Sequence, residues 1–225
     1  MKTSLLYLST IVAGVLVTSA SAQTISQWTF ETSIPATAGP FSPEVGSGSA
    51  LGLHAGAATY SSPAGNGSVH SFSVNTWAVG DYFQFNLGTV GYSGIGLSFD
   101  QTSSGTGPRD FSLQYSTDGT TFTPFASYAV LANASPNPAW NATTASSLYT
   151  QNFDLSGVTS LNNAASIYFR LVNTSTVSAA GGTVAAGGTD RVDNFTVYVV
   201  PEPGSLLAVG GLVLLAGRKL LPKRA

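Results

Sequence analysis

The sequence predicts an all-β protein, an antiparallel β-sandwich flanked by a short apolar helix at each terminus. Short runs rich in Val, Phe, Tyr, Thr and Leu recur along residues 23–199, and clusters of Gly, Pro, Asn and Asp separate them. No window between the two termini has apolar residues at helical spacing. Such a succession of strand and turn signals is typical of antiparallel sheets and not of β-α-β units.

Eight of these runs are predicted strands. In the clearest of them, Phe111, Leu113 and Tyr115 alternate with polar residues and share one face, and the same alternation recurs at 195–199. Alternation at period two is the pattern of a strand with one buried face. The predicted strands are 25–30, 68–74, 82–87, 92–100, 110–116, 121–129, 166–173 and 191–199.

Turn and loop signals separate the strands. Asp118 and Gly119 stand between two predicted strands, and an Asp-Gly pair is typical of a tight hairpin turn. A metal-ligand role for Asp118 is the alternative. The Gly- and Ala-rich segments 46–64 and 176–188 are predicted flexible loops, and loops on a rigid sandwich often carry binding residues. Neither segment contains a recognisable motif.

Charge is scarce in this chain. It has eight basic and ten acidic residues among 225, or 8% charged, where an ordinary soluble domain has about a quarter. With 43% apolar residues, the composition argues against intrinsic disorder. Arg109, Arg170 and Arg191 are the only basic residues between 23 and 200, so the sequence lacks the clustered positive charge that a nucleic-acid partner requires. The absence of Cys excludes disulfides and thiolate chemistry.

The N-terminus has the features of an export signal. Lys2 supplies a positive charge, residues 5–17 form an apolar run, and Ala20 and Ala22 provide the small residues of a cleavage site. These three features together are typical of a secretory signal peptide. The sequence therefore predicts a signal peptide over 1–22 and the secretion machinery as a partner.

The C-terminus predicts a short membrane helix. Pro201, Glu202 and Pro203 precede an apolar run over 204–217, and the prolines would break an incoming strand. As a helix the run would be about 21 Å long, shorter than the roughly 30 Å hydrocarbon core, although the following leucines could extend it. Basic residues after such a run hold that end in the cytoplasm. The membrane-stop basic cluster consists of Arg218, Lys219, Lys223 and Arg224.

Taken together, the Pro-Glu-Pro triplet, the apolar run and the basic tail closely resemble a PEP-CTERM sorting signal over 200–225. The resemblance implies a Gram-negative bacterium that makes exopolysaccharide, and an exosortase that cuts near the triplet. It also implies transient anchoring in the inner membrane, with the C-terminus cytoplasmic, before delivery to the cell surface or extracellular biofilm matrix. Pro201, Glu202 and Pro203 would then be recognition residues for another enzyme.

The exported domain, 23–199, has a resemblance of its own. Residues 27–31 and 190–197 are similar to the first and last strands of jelly-roll domains of the galactose-binding-like and carbohydrate-binding kinds. In many such modules these two strands lie side by side and share a structural calcium ion. The resemblance implies that Glu31 and Asp193, with backbone carbonyls, would supply the oxygen ligands that calcium prefers. The alternative is that both acids are solvated or paired with Arg170 or Arg191.

Two residues are candidates for ligand binding. Arg109 offers a planar fork suited to carboxylates, including those of uronic acids; the alternative is an internal ion pair with Asp110. Trp140 lies in a polar stretch, 135–141, and is the best candidate for an exposed ring that stacks on sugar. The alternative for every Trp is a place in the core, where aromatic residues contribute large buried areas.

Catalytic patterns are weak in this sequence. His54 and His70 are its only imidazoles, and neither belongs to a metal-binding motif. No Gly-x-Ser-x-Gly nucleophile motif occurs. Asp100, Asp110 and Asp118 could in principle provide the carboxylate pair of a glycosidase, but turn and surface roles are favoured.

The sequence therefore predicts a non-catalytic exported protein of the cell surface or exopolysaccharide matrix. Its role would be structural or adhesive, with exopolysaccharide as a candidate partner through glycan binding. The alternatives are a surface glycosidase or polysaccharide lyase, and a dedicated carbohydrate-binding module.

Overall fold

Eleven strands and two short 3-10 helices occur in the part of the chain that the computed structural model describes, residues 22–201. The 3-10 helices are Ser147–Tyr149 and Thr159–Leu161. The strands are β1 (Gln23–Trp28), β2 (Ser49–Leu53), β3 (Tyr60–Ser61), β4 (Phe72–Val74), β5 (Tyr82–Leu87), β6 (Ile95–Ser103), β7 (Asp110–Ser116), β8 (Thr123–Ala129), β9 (Thr150–Asp154), β10 (Ile167–Asn173) and β11 (Asp190–Val199).

Most of the two terminal predictions fall outside the described residues. These are the signal helix, its cleavage residue Ala20, the sorting residues Glu202 and Pro203, the apolar run and the basic cluster. Ala22 and Pro201 stand at the two ends of the described range and are exposed. Within residues 22–201 no helix has the length and apolar character needed to cross a membrane.

The strands form two antiparallel sheets, as the predicted sandwich requires. The six-stranded sheet has the order β3-β4-β11-β6-β9, with β1 also paired to β11, and the five-stranded sheet has the order β2-β5-β10-β7-β8. Every strand pair in both sheets is antiparallel. The all-β class and the sandwich architecture are confirmed.

Strand β11 organises the six-stranded sheet. One of its edges pairs with β6, and the other edge is shared by β4, opposite Asp190–Val192, and by β1, opposite Phe195–Val199. A register irregularity falls between these two stretches, where Asn194 has a φ of 52°. The first and last strands are therefore neighbours, and Asp193 lies where one partner strand gives way to the other.

Aromatic side chains fill the space between the sheets. Phe85 of one sheet stacks on Phe195 of the other, with ring centroids 3.6 Å apart and planes 1° apart. Trp28 is fully buried and meets both rings edge-on. Trp77 is buried as well, and its indole donates a hydrogen bond to the Val74 carbonyl. Both tryptophans therefore belong to the hydrophobic core, where full burial of a Phe or Leu side chain contributes about 1.5–3 kcal/mol.

The predicted strands match the structure best where alternation is strict. Strands β5 and β7 have the predicted bounds, whereas β2, β3 and β9 were not predicted. The segment 46–64 is therefore wrong as a loop, because it contains both β2 and β3. Its small residues have a packing reason: a Cβ on Gly52 would lie 2.7 Å from the Tyr60 ring, whose hydroxyl donates to the Gly52 carbonyl.

Candidate functional site

The outer face of the five-stranded sheet carries a row of half-buried polar and aromatic side chains. On β10, Ile167, Phe169 and Leu171 are buried in the core, so the alternate residues of the strand point outward. Arg170 lies at the centre of this outer face, directly opposite Gln84 of β5 and Gln114 of β7. We call the outward residues the sheet face; they are Tyr82, Gln84, Asn86, Gln114, Tyr168, Arg170 and Val172, together with Phe122 from the β7–β8 connection.

Arg170 is held by aromatic rings. Its guanidinium carbon lies 4.0 Å from the Tyr82 ring centroid and 3.5 Å from the Phe122 ring centroid. Both distances lie within the range of a cation–π interaction. The Arg170 Nε donates a hydrogen bond of 2.8 Å to the Gln84 Oε1. Partial burial lowers the pKa of Arg170, but a guanidinium remains charged at neutral pH.

The β7–β8 connection brings Phe122 over the sheet face. The Asp118 carboxylate accepts hydrogen bonds from the backbone N–H groups of Thr120 and Thr121, at 2.8 and 2.7 Å. These bonds hold the pKa of Asp118 well below its usual value. Gly119 has a φ of 74° and packs on the Tyr168 ring. Asp118 and Gly119 therefore lie in the connection of a β-hairpin, as predicted, but the connection spans residues 117–122 and is not a tight two-residue turn. Its hydrogen bonds order the residues that lead to Phe122.

Arg109, the predicted ligand-binding arginine, binds its neighbour in sequence. Its Nε and Nη2 donate to the two carboxylate oxygens of Asp110, at 2.8 and 3.2 Å. This pair and a hydrogen bond from Ser175 lower the pKa of Asp110. The fork is thus engaged in the internal ion pair that the sequence left as the alternative, and Arg170, which the sequence did not single out, is the arginine on the sheet face.

The prediction of an exposed sugar-stacking ring at Trp140 is wrong. Trp140 is 8% exposed, and its indole N–H donates a 2.7 Å hydrogen bond to the Ala64 carbonyl. Its ring meets Tyr149 edge-on at 5.2 Å, and the Tyr149 hydroxyl donates to the Pro138 carbonyl. The polar stretch folds back on Tyr149, so both faces of Trp140 are unavailable to a ligand.

Glu31 and Asp193 are brought to the same chain segment, residues 65–70. The Glu31 Oε1 accepts a 2.8 Å hydrogen bond from the His70 N–H. The Asp193 Oδ2 accepts hydrogen bonds from the Asn66 N–H at 2.9 Å and the Ser68 hydroxyl at 2.6 Å. The two acids therefore fix the segment that leads into β4, although they are far apart in sequence.

The surroundings of Asp193 contain the ligand types of a hard cation. A Cβ on Gly65 would overlap the Ser68 Oγ, the Asp193 Oδ2 and the His70 carbonyl oxygen, and the Ser68 hydroxyl already hydrogen-bonds to the other two. Hydroxyl, carboxylate and carbonyl oxygens are what calcium prefers. Burial raises the pKa of Asp193 to about 6, and no salt bridge within residues 22–201 neutralises it. In that range no cluster of three or more His, Cys, Asp or Glu could hold a metal, so an ion would depend on backbone and hydroxyl oxygens.

The three carboxylates considered for glycoside cleavage do not converge. Asp110 and Asp118 lie at opposite ends of β7, roughly 20 Å apart at the rise of a strand. Asp100 belongs to the other sheet, where its carboxylate accepts hydrogen bonds from Thr150 and Asn194. A glycosidase pair requires a separation of about 5–9.5 Å, so Asp110 and Asp118 are excluded as such a pair.

His54 is part of the protein interior. Its Nδ1 lies 3.3 Å from the Asp81 Oδ2, and both side chains are almost fully buried. The imidazole also packs edge-on against Trp77, with ring centroids 4.4 Å apart. Burial lowers the pKa of His54 and favours its neutral form. The contacts of His54 are those of a core residue.

Comparison with known proteins adds fold-level likenesses. No family model and no curated protein matches the chain. Among solved structures, the chain is similar to the CBM22-1–GH10 modules of the Clostridium thermocellum endo-1,4-beta-D-xylanase 10B, in complex with xylohexaose, at 16% identity and a TM-score of 0.46. That match covers 81% of this chain but 29% of the xylanase chain.

Two further matches cover nearly all of the other protein. The CBM22-2 xylan-binding domain of Paenibacillus barcinonensis Xyn10C is 13% identical, with a TM-score of 0.45 over 78% of this chain and 99% of that one. The K2 cleaved adhesin domain of Lys-gingipain is 14% identical, with a TM-score of 0.43 over 78% and 97%. Likenesses this distant carry no argument about a ligand, which has to come from the residues of the sheet face.

Proposed function

We propose that residues 23–199 form a non-catalytic glycan-binding domain, and that a sugar chain binds on the sheet face. The observation that carries this proposal is the half-buried Arg170 guanidinium over the Tyr82 and Phe122 rings, with the Gln84 amide beside it. Ligand sites typically combine aromatic surfaces with a few well-placed polar groups. Tyr168 and Asn86 extend the same combination along the sheet.

A binding role is favoured over catalysis because of the positions of the charged groups. A glycosidase or polysaccharide lyase would need clustered acids, or a Tyr, Arg and His site in a groove. The sheet face contains Tyr and Arg, but His54 is in the core and Asp110 and Asp118 are separated by the length of β7. No observation favours the enzymatic alternative.

The proposal extends to a biological role as an exported surface or exopolysaccharide-matrix protein with a structural or adhesive function. It rests here on the signal-peptide pattern of 1–22 and the PEP-CTERM-like pattern of 200–225. Exosortase processing, transient anchoring in the inner membrane and release are part of the same proposal. The pairing of β1 with β11 supports the jelly-roll-like assignment, in which the first and last strands are neighbours.

A structural calcium ion at the junction of these strands is also proposed. Glu31 and Asp193, together with backbone carbonyls, would hold it, and the support is the buried Asp193 carboxylate, which no salt bridge within residues 22–201 neutralises. Bound there, calcium would neutralise a buried carboxylate and fasten the 65–70 segment to β11. The ion would stabilise the folded domain and would not contact a glycan on the sheet face.

The glycan proposal is tested with a glycan array and a release assay on polymeric sugars. We expect binding without turnover, and we expect Phe122→Ala to abolish most of the binding. Phe125→Ala is the matched control, because Phe125 is an exposed aromatic residue of β8 whose ring lies near Phe153 of the other sheet. An empty array would refute the proposal, and release of sugar would favour the enzyme.

The sorting proposal is tested at the two ends of the mature protein. Mass spectrometry should find an N-terminus near residue 23 and a C-terminus near 201–203. A protein that retains Met1 and Ala225 would contradict both export and exosortase processing.

A further inference from the structure

We propose that the sheet face selects acidic polysaccharides, and that Arg170 binds the carboxylate of a uronic acid residue. This inference rests on the proposed glycan-binding function and specifies its substrate class. It begins with the hydrogen bonds of Arg170, whose Nε is occupied by Gln84. Within residues 22–201 the guanidinium forms no salt bridge, so its two terminal nitrogens remain to receive an anion.

The other arginines of the described range are differently placed. The Nε and Nη2 of Arg109 both donate hydrogen bonds to the Asp110 carboxylate. Arg191 is adjacent to Asp190, and its Nε is buried without a partner. Asp118 lies in the connection beside the sheet face, but its carboxylate accepts the turn's own N–H and O–H groups. Within the described residues the Arg170 guanidinium is therefore not paired with a carboxylate.

Ring contacts make Arg170 a prearranged binding group. Tyr82 and Phe122 restrict the guanidinium plane, and Gln84 fixes its Nε edge. A planar, restricted fork matches a carboxylate with two parallel hydrogen bonds, which a lysine ammonium does not reproduce. The neighbouring rings and amides suit a sugar ring attached to that carboxylate, whereas a free inorganic anion would gain nothing from them.

Overall charge argues for recognition of one carboxylate at a time. Residues 23–200 contain nine acidic residues and three arginines, so the domain as a whole repels a polyanion. Attraction is confined to the immediate surroundings of Arg170. We therefore expect binding to weaken only modestly with salt, because a short, partly buried contact is less screened than a broad field of exposed charges.

The test compares two chemically matched ligands by isothermal titration calorimetry. One is an oligogalacturonate, and the other is the same oligomer after its carboxyl groups have been reduced to the neutral sugar. We expect the acidic oligomer to bind the full chain about tenfold more tightly, as one charge-assisted two-bond contact allows. Arg170→Gln should remove this preference, so that whatever affinity it retains is the same for the two oligomers.

Two further variants separate charge from geometry. Arg109→Gln makes the same change in net charge beside Asp110, the first residue of β7, which lies four residues along the strand from Gln114, and should leave the preference intact. Arg170→Lys keeps the charge but loses the fork, and should lose most of the preference. Thermal melting of each variant checks that the fold is retained. Free glucuronate and inorganic sulfate are tested as competitors, which distinguishes binding of a sugar carboxylate from binding of any simple anion.

Each outcome decides the inference. Equal binding of both oligomers by the wild-type protein overturns it while leaving the glycan-binding function in place. A preference that persists in folded Arg170→Gln assigns the carboxylate to another residue and also overturns it, as does competition by sulfate as strong as by glucuronate. Failure of both oligomers together with an empty glycan array refutes the proposed function itself.

Discussion

Replacing Gly65 by Ala should loosen the junction at which Glu31 and Asp193 hold the 65–70 segment. The new Cβ would overlap three oxygens, and two of them, the His70 carbonyl and the Asp193 carboxylate, belong to groups that are themselves fixed by hydrogen bonds. The segment would have to move away from β11. That movement would weaken the bonds from Asn66 and Ser68 to a fully buried carboxylate.

The size of the effect follows from these contacts. Overpacking alone costs about 1–3 kcal/mol, and a weakened hydrogen bond to a charged group costs roughly 1.5–3 kcal/mol when it is lost. Because the segment yields in part, we expect a loss of about 3 kcal/mol in the free energy of unfolding. For a domain of this size that corresponds to a fall of roughly 6–12 °C in Tm.

The assay is urea denaturation of the purified protein, followed by tryptophan fluorescence, with Gly157→Ala as the matched control. A Cβ on Gly157 would meet nothing within 4 Å, so that variant should unfold like the wild type. Equal unfolding midpoints for Gly65→Ala and Gly157→Ala would refute the reasoning, since the same chemical change would then be harmless at the crowded position.

Three further predictions concern calcium, pH and the turn. A calcium chelator should lower the Tm at neutral pH, because it would leave the buried carboxylate of Asp193 without a cation. An unchanged melting curve would refute the calcium proposal. Burial lowers the pKa of His54 from 6.5 despite the nearby Asp81, so its contribution to stability is complete above pH 6.5 and is lost as pH falls through the folded-state pKa. The raised pKa of Asp193 acts in the opposite direction as pH falls, so the His54 effect is measured as the difference between wild type and His54→Gln in urea titrations at several pH values. A difference that does not change with pH would contradict this prediction. Asp118→Ala should weaken glycan binding several-fold, because the connection that carries Phe122 loses its hydrogen bonds, and it should change the Tm little. If calorimetry finds wild-type affinity, the turn does not position the Phe122 ring.

Strict alternation made part of the fold predictable. Strands β5 and β7 have an apolar residue at every second position, which a sandwich core requires. Strand β2 does not follow from the pattern because its inward positions are the small residues Ala50 and Gly52, and a Cβ on Gly52 would meet the Tyr60 and Phe72 rings. Composition indicated a loop there, because composition does not reveal that the Tyr60 and Phe72 rings lie against Gly52.

The sheet face was harder to predict than the fold. A lone Arg170 within a strand has the same signature as a solvated residue, and its partners Gln84 and Phe122 are separated from it in sequence by the topology of the sheet. The prediction that Trp140 is exposed was wrong because its burial depends on Ala64 and Tyr149, which lie outside the polar stretch 135–141. Polar neighbours in sequence describe a segment's composition and do not reveal what the segment folds against.

The pairing of Gln23 with Val199 has a mechanical consequence for a domain that is pulled at both ends. A load applied between residues 23 and 199 would act at one end of the β1–β11 ladder and across its hydrogen bonds. The hydrogen bonds would then break one after another from that end of the ladder, and they would not bear the load together. A domain tethered through a single terminus would escape this weak direction, because the force would not pass through that ladder.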